Sequence, residues 1–94
     1  MAALDPTQLA SVRNVFPELS ESQCLVALLF SSGFSVKEIA WQRQVSPSTI
    51  KNTLTSVKTK FDQPSIHGVR SVILLRLMLR DLMPEGHERR LTGN

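Results

Sequence analysis

Gly33-Phe34-Ser35-Val36-Lys37-Glu38-Ile39-Ala40 and then Val45-Ser46-Pro47-Ser48-Thr49-Ile50-Lys51-Asn52 carry the start signals of two helices with almost no chain between them. In the first stretch Ser35-Val36-Lys37-Glu38 is a capping box: the serine hydroxyl accepts from the Glu38 N–H, and the Glu38 carboxylate accepts from the serine N–H. In the second, Ser46 is an N-cap serine with Pro47 at the first helical position, where a missing N–H costs nothing. The spacing predicts helices over 36–44 and 47–61, with a corner of about two residues between them. Such a corner is that of a helix-turn-helix, whose second helix is placed to enter a major groove. Ordinary helical hairpins have equally short links, so the corner alone leaves both readings open.

Working outward, Ser20-Glu21-Ser22-Gln23 is a second capping box, and Asp5-Pro6-Thr7-Gln8 repeats the cap-then-proline pattern. A hydrophobic residue before each cap is paired by spacing with one at the fourth helical position: Leu19 with Cys24, Phe34 with Ile39, Val45 with Ile50. Stops follow from Phe16-Pro17, from Gly33 as a residue just past a helix end, from Asp62-Gln63-Pro64 and from Pro84-Glu85-Gly86. The predicted helices are therefore 6–15, 21–32, 36–44, 47–61 and 66–83. β-Branched residues nowhere alternate over a strand's length, so the chain reads as all-α.

Composition narrows the classes. Ninety-four residues with 41% hydrophobic content suit one folded domain, and four Phe, one Trp and no Tyr leave it poor in aromatics. The net charge of +3 favours a polyanionic partner without naming one. Cys24 lies in an apolar run and reads as a small buried hydrophobe; His67 and His87 are isolated, so no metal or other cofactor is expected. The start lacks a signal peptide's basic and apolar regions, and the apolar stretches near 24–30 and 72–79 are too short to cross a bilayer. The expectation is a cytoplasmic protein with no membrane partner and no evident small-molecule ligand. An enzyme is not expected: no Gly-rich phosphate loop, motif-placed carboxylate pair or Ser/His/Asp arrangement is present.

Leu19-Ser20, Gln23, Gly33, Ser35, Lys37-Glu38-Ile39-Ala40, Val45-Ser46, Ser48-Thr49-Ile50-Lys51-Asn52, Val57 and Lys60-Phe61 together resemble the LuxR-type helix-turn-helix family from Leu19 to about Val69. The resemblance implies four helices, the third reading DNA and the fourth forming a dimer contact. Here they would be joined by an extra N-terminal helix. The implied organisation is an N-terminal helical extension at 1–18, a DNA-binding domain at 19–83 with its dimerisation helix at 66–83, and a polar tail at 84–94. A helix and cap of its own in 1–18, with Met1 opening the numbering, favour a stand-alone member over an excised fragment. The chain departs from the family pattern at Arg43, where an aliphatic residue is usual, and at Thr53, where histidine is frequent. The loop Asp62-Gln63-Pro64-Ser65-Ile66 also lacks the usual apolar and arginine residues.

On the helix 47–61, Ile50, Leu54, Val57 and Phe61 form one apolar stripe toward the core. The resemblance implies that Lys51, Asn52 and Thr55 face the bases. Lysine can donate to guanine O6/N7, asparagine can pair with adenine N6/N7, and threonine can use its hydroxyl or touch a thymine methyl. The alternative is a merely solvated polar face. Ser46, Thr49, Lys37, Lys58 and Lys60 are the candidate phosphate contacts. Trp41 reads as packing on the scaffold helix.

The last helix is apolar almost all round, through Val69, Val72, Ile73, Leu74, Leu75, Leu77, Met78, Leu79, Leu82 and Met83. Val72, Leu75, Leu79 and Leu82 are the expected core face. Val69, Ile73 and Leu77, flanked by Arg76 and Arg80, make a second stripe that a two-fold homodimer would bury. Alternatively Leu9, Val12 and Phe16 cover that second stripe within one chain. The reading that results is a sequence-specific transcription regulator binding double-stranded DNA as a homodimer. The runner-up is an interaction module of the same fold whose partner is a larger regulator protein.

Overall fold

The computed structural model describes residues 6–82, with side chains from Ala10 onward. Five helices follow in order: α1 (Pro6–Arg13), α2 (Glu21–Ser31), α3 (Val36–Arg43), α4 (Pro47–Lys60) and α5 (His67–Leu82), with no strand among the described residues. The tail 84–94, Met83, the Asp5 cap and the Leu9 side chain fall outside them.

Local chemistry sets the helix boundaries. Ser20 Oγ accepts from the Gln23 N–H at 3.1 Å and Gln23 Oε1 accepts from the Ser20 N–H at 2.9 Å. Ser35 and Glu38 close the same box at 3.1 and 2.8 Å. Ser46 Oγ accepts from the Thr49 N–H at 3.2 Å, ahead of Pro47 at the first helical position. α2 ends in a Schellman turn: Gly33, at φ +106°, donates to Phe30 O at 3.2 Å, and Phe34 donates to Leu29 O at 3.2 Å. Gln44 at φ 57° and Asp62 at φ 55° make the left-handed turns that end α3 and α4, a backbone region that costs a side-chain-bearing residue about 1–2 kcal/mol.

α2 is the hub, packed against each of the other helices. At one end, Val26, Leu29 and Phe30 meet Ile39 and Ala40 of α3 and Ile50 and Leu54 of α4. At the other, Cys24 and Ala27 meet Phe16 and Leu19, Val57 and Phe61, and Val69 and Ile73 of α5. Cys24 is fully buried, and burial pushes its thiol pKa up. Phe34 packs on the cluster that holds Ile39, and Leu19 lies in the cluster that holds Cys24. Val45, the third expected staple residue, is exposed and belongs to neither cluster.

The orientation of α5 corrects the expected dimer stripe. Val69 and Ile73 are core residues, 0% and 1% exposed, and Leu77 is half-buried against the same cluster. Val12, Val15 and Phe16 share that cluster, so the N-terminal segment covers this stripe within one chain. Arg76 and Arg80 are used internally too. Arg76 donates to both Glu18 carboxylate oxygens, at 2.9 and 2.6 Å, and to Val15 O at 3.2 Å, and its guanidinium lies 5.4 and 5.1 Å from the Phe16 and Phe61 ring centres. Arg80 reaches Ser11 Oγ at 3.3 Å. Of the expected core face only Val72 packs inward; Leu75, Leu79 and Leu82 are 56%, 46% and 73% exposed. The physical reason is packing: Val69 and Ile73 fill the space among Phe16, Cys24, Ala27, Val57 and Phe61, and with them facing in, the fork of Arg76 meets the Glu18 carboxylate.

The Glu18–Arg76 clamp predicts an acid sensitivity. The Arg76 hydrogen bonds hold the Glu18 carboxyl below the usual glutamate range, against an opposing effect of burial. A folded-state pKa below the unfolded one contributes stability that is present in full above about pH 4.3, the unfolded value, and is lost as pH falls through the lower folded value. The urea midpoint of the wild type should therefore fall on acidification from about pH 5 to pH 3. Glu18→Gln should be less stable near neutrality and lose less over that interval. An equally steep loss in the variant would remove the clamp as its source.

Candidate nucleic-acid interface

α4 is amphipathic in a single sense. Ile50, Leu54 and Val57 are buried, with Phe61 at the helix end, while Ser48, Lys51, Asn52, Thr55, Ser56 and Thr59 are exposed. Lys51, Asn52 and Thr55 thus share an outward surface, one helical turn from first to last. α4 carries Lys51, Lys58 and Lys60 and no carboxylate, so its field is positive along its length.

The phosphate candidates are more dispersed. Ser46 and Thr49 hydroxyls lie 3.0 Å apart and share one hydrogen, at the exposed positive end of α4. Lys37 is exposed in the first turn of α3, and Lys58 is half-buried. Lys60 donates to Gln23 Oε1 at 2.8 Å, the same oxygen that accepts the Ser20 N–H, so it ties the end of α4 to the start of α2. An ammonium has three hydrogens, which leaves Lys60 free to donate elsewhere as well.

Two surface features differ from the sequence expectation. Trp41 is 83% exposed rather than packed; with Lys37, Glu38 and Gln42 it lines an open hollow on α3. The signal was in the sequence: Ile39 and Ala40 mark the inward side of α3, and Trp41 comes about 100° beyond Ala40. The second feature is the outer side of α5, where Leu74, Leu75, Met78, Leu79 and Leu82 are all at least 46% exposed. Their spacing puts them on one stripe, opposite Val69 and Ile73.

A scaffold helix, a tight left-handed corner and a second helix with a free, cationic outer face define a DNA-binding domain of the helix-turn-helix class. The chain belongs to the luxR family of bacterial regulatory proteins, whose profile matches residues 17–72, more than half its length. Neither the curated proteins nor the solved structures offer a match to it. The family is one of regulators rather than enzymes. Among the described residues no helix is long and apolar enough to cross a membrane, and no three His, Cys, Asp or Glu side chains converge as a metal site.

Proposed function

We propose that the chain is a sequence-specific regulator of transcription that binds double-stranded DNA as a homodimer, with α4 in the major groove. One observation carries the reading: Lys51, Asn52 and Thr55 are exposed on a helix whose opposite side is locked into the core. Lys51 and Asn52 offer a guanine-seeking donor and an adenine-seeking amide, and Thr55 sits one turn on. Ser46, Thr49, Lys37, Lys58 and Lys60 fix the register on phosphates, which carry position but no sequence information. Residues 19–83 form the DNA-binding unit and residues 1–18 its N-terminal extension, in which Phe16 and Glu18 support α5.

So few base contacts make one copy a weak reader, and pairing supplies the rest. The exposed stripe Leu74, Leu75, Met78, Leu79 and Leu82 is the surface for that pairing, in place of the buried Val69 and Ile73. The same stripe favours a second reading, in which the chain pairs with a larger regulator and modulates it.

A titration of genomic duplex fragments separates the two. Lys51→Ala should weaken binding roughly 5- to 150-fold, the range of one good base contact, with a steep salt dependence in the wild type. Binding that ignores both salt and the substitution would sink the DNA reading and leave the second.

A further inference from the structure

We infer that Thr55 recognises thymine through its methyl group and not through its hydroxyl hydrogen. The inference rests on the DNA-reading role of α4 proposed above and specifies the base that this position selects. A threonine at a groove has three means of contact, an O–H donor, the lone pairs of its oxygen and a methyl, and they favour different bases.

In α4 the donor is used inside the helix. Thr55 Oγ1 donates to Lys51 O, four residues earlier, at 2.9 Å. Thr53 does the same to Thr49 O at 2.9 Å, and Thr59 to Thr55 O at 3.0 Å. A hydroxyl has one hydrogen, so the Thr55 oxygen has none left for guanine O6, guanine N7 or thymine O4, and it keeps only the capacity to accept from adenine N6 or cytosine N4. Two heavy atoms on Cβ stiffen χ1: with Oγ1 held against the carbonyl, Cγ2 must occupy a different staggered position, away from it. Thr55 itself is exposed, on the surface that meets a ligand, and the methyl is the part of its side chain that the carbonyl does not hold. The C5-methyl of thymine is the apolar group that base pairs display in the major groove. Asn52, three residues before Thr55 and adjacent on the helix surface, suits adenine, so the two together favour A·T pairs.

The test uses the full chain and a random duplex library. In the duplex it enriches, each thymine is replaced in turn by deoxyuridine, which lacks only the C5-methyl. One replacement per half-site should weaken wild-type binding about three- to fourfold, the value of burying one methyl-sized group. Thr55→Val keeps the methyl and should show the same ratio of thymine to uridine binding. Thr55→Ser lacks it and should bind the two duplexes alike. The inference fails if no replacement weakens the wild type, or if the valine variant loses the discrimination and the serine variant keeps it. Lys51→Ala separates that failure from a deeper one: if it binds the enriched duplex as tightly as the wild type, α4 is not the reading helix and both conclusions fall.

Discussion

Leu54→Ala should lower the unfolding free energy by about 3–5 kcal/mol, the cost of deleting a fully buried leucine side chain where neighbours cannot close the gap. Leu54 is 0% exposed and sits where α2, α3 and α4 meet, among Val26, Leu29, Ile39, Ala40 and Ile50. Three helices held in fixed register around it leave little room for collapse. A domain of this size has roughly 5–15 kcal/mol in all, so the variant forfeits a large fraction of it. Function should suffer with stability, because Leu54 sits between Lys51 and Thr55 in sequence and anchors the turn that presents them. Gln42→Ala, on the exposed side of α3, is the reference and should shift stability by no more than about 0.5 kcal/mol. Urea unfolding measures both. A loss under about 1 kcal/mol for Leu54→Ala would mean that this junction is not close-packed.

On the proposed homodimer, the pair Leu75→Gln and Leu79→Gln should leave a monomer and reduce DNA affinity by about two to four orders of magnitude. Both side chains are roughly half exposed, so a neutral, helix-compatible residue disturbs no core contact. What it removes is the apolar stripe, and with it the linkage that in the proposed homodimer lets a second α4 bind at high effective concentration. Glutamine leaves net charge unchanged, so lost affinity cannot be ascribed to repulsion from phosphate. Ile73→Gln is the informative contrast. By its spacing it belongs to the stripe first expected to form the dimer, but it is 1% exposed and its replacement should unfold the chain instead. Sedimentation equilibrium and duplex binding report the two effects separately. A wild type that stays monomeric to high micromolar concentration, or a double variant that pairs as before, would refute the assignment.

The same two outcomes bear on the second reading. A monomeric wild type with an intact outer stripe on α5 would leave that stripe to a different protein, and a capture experiment on the folded double variant would then show whether the leucines mediate it.

What sequence alone determined here is local in its physics. Ser20, Ser35 and Ser46 declare helix starts because a hydroxyl and an N–H three residues on need nothing else to find each other. Gly33 declares an end because a left-handed turn at φ +106° suits a residue without Cβ. α4 was legible down to its outward residues, since one side carries Ile50, Leu54, Val57 and Phe61 and the other is polar. Only the tertiary structure decided how α5 turns. Both of its sides are apolar, so periodicity supplies two stripes and no preference between them. The preference comes from distant segments: Phe16, Val57 and Phe61 receive Val69 and Ile73; Glu18, 58 residues away in the chain, receives Arg76; and Leu75, Leu79 and Leu82 are left outward. Contacts between distant segments leave no periodic trace in either one, and for that reason the orientation of α5 had to be seen rather than read.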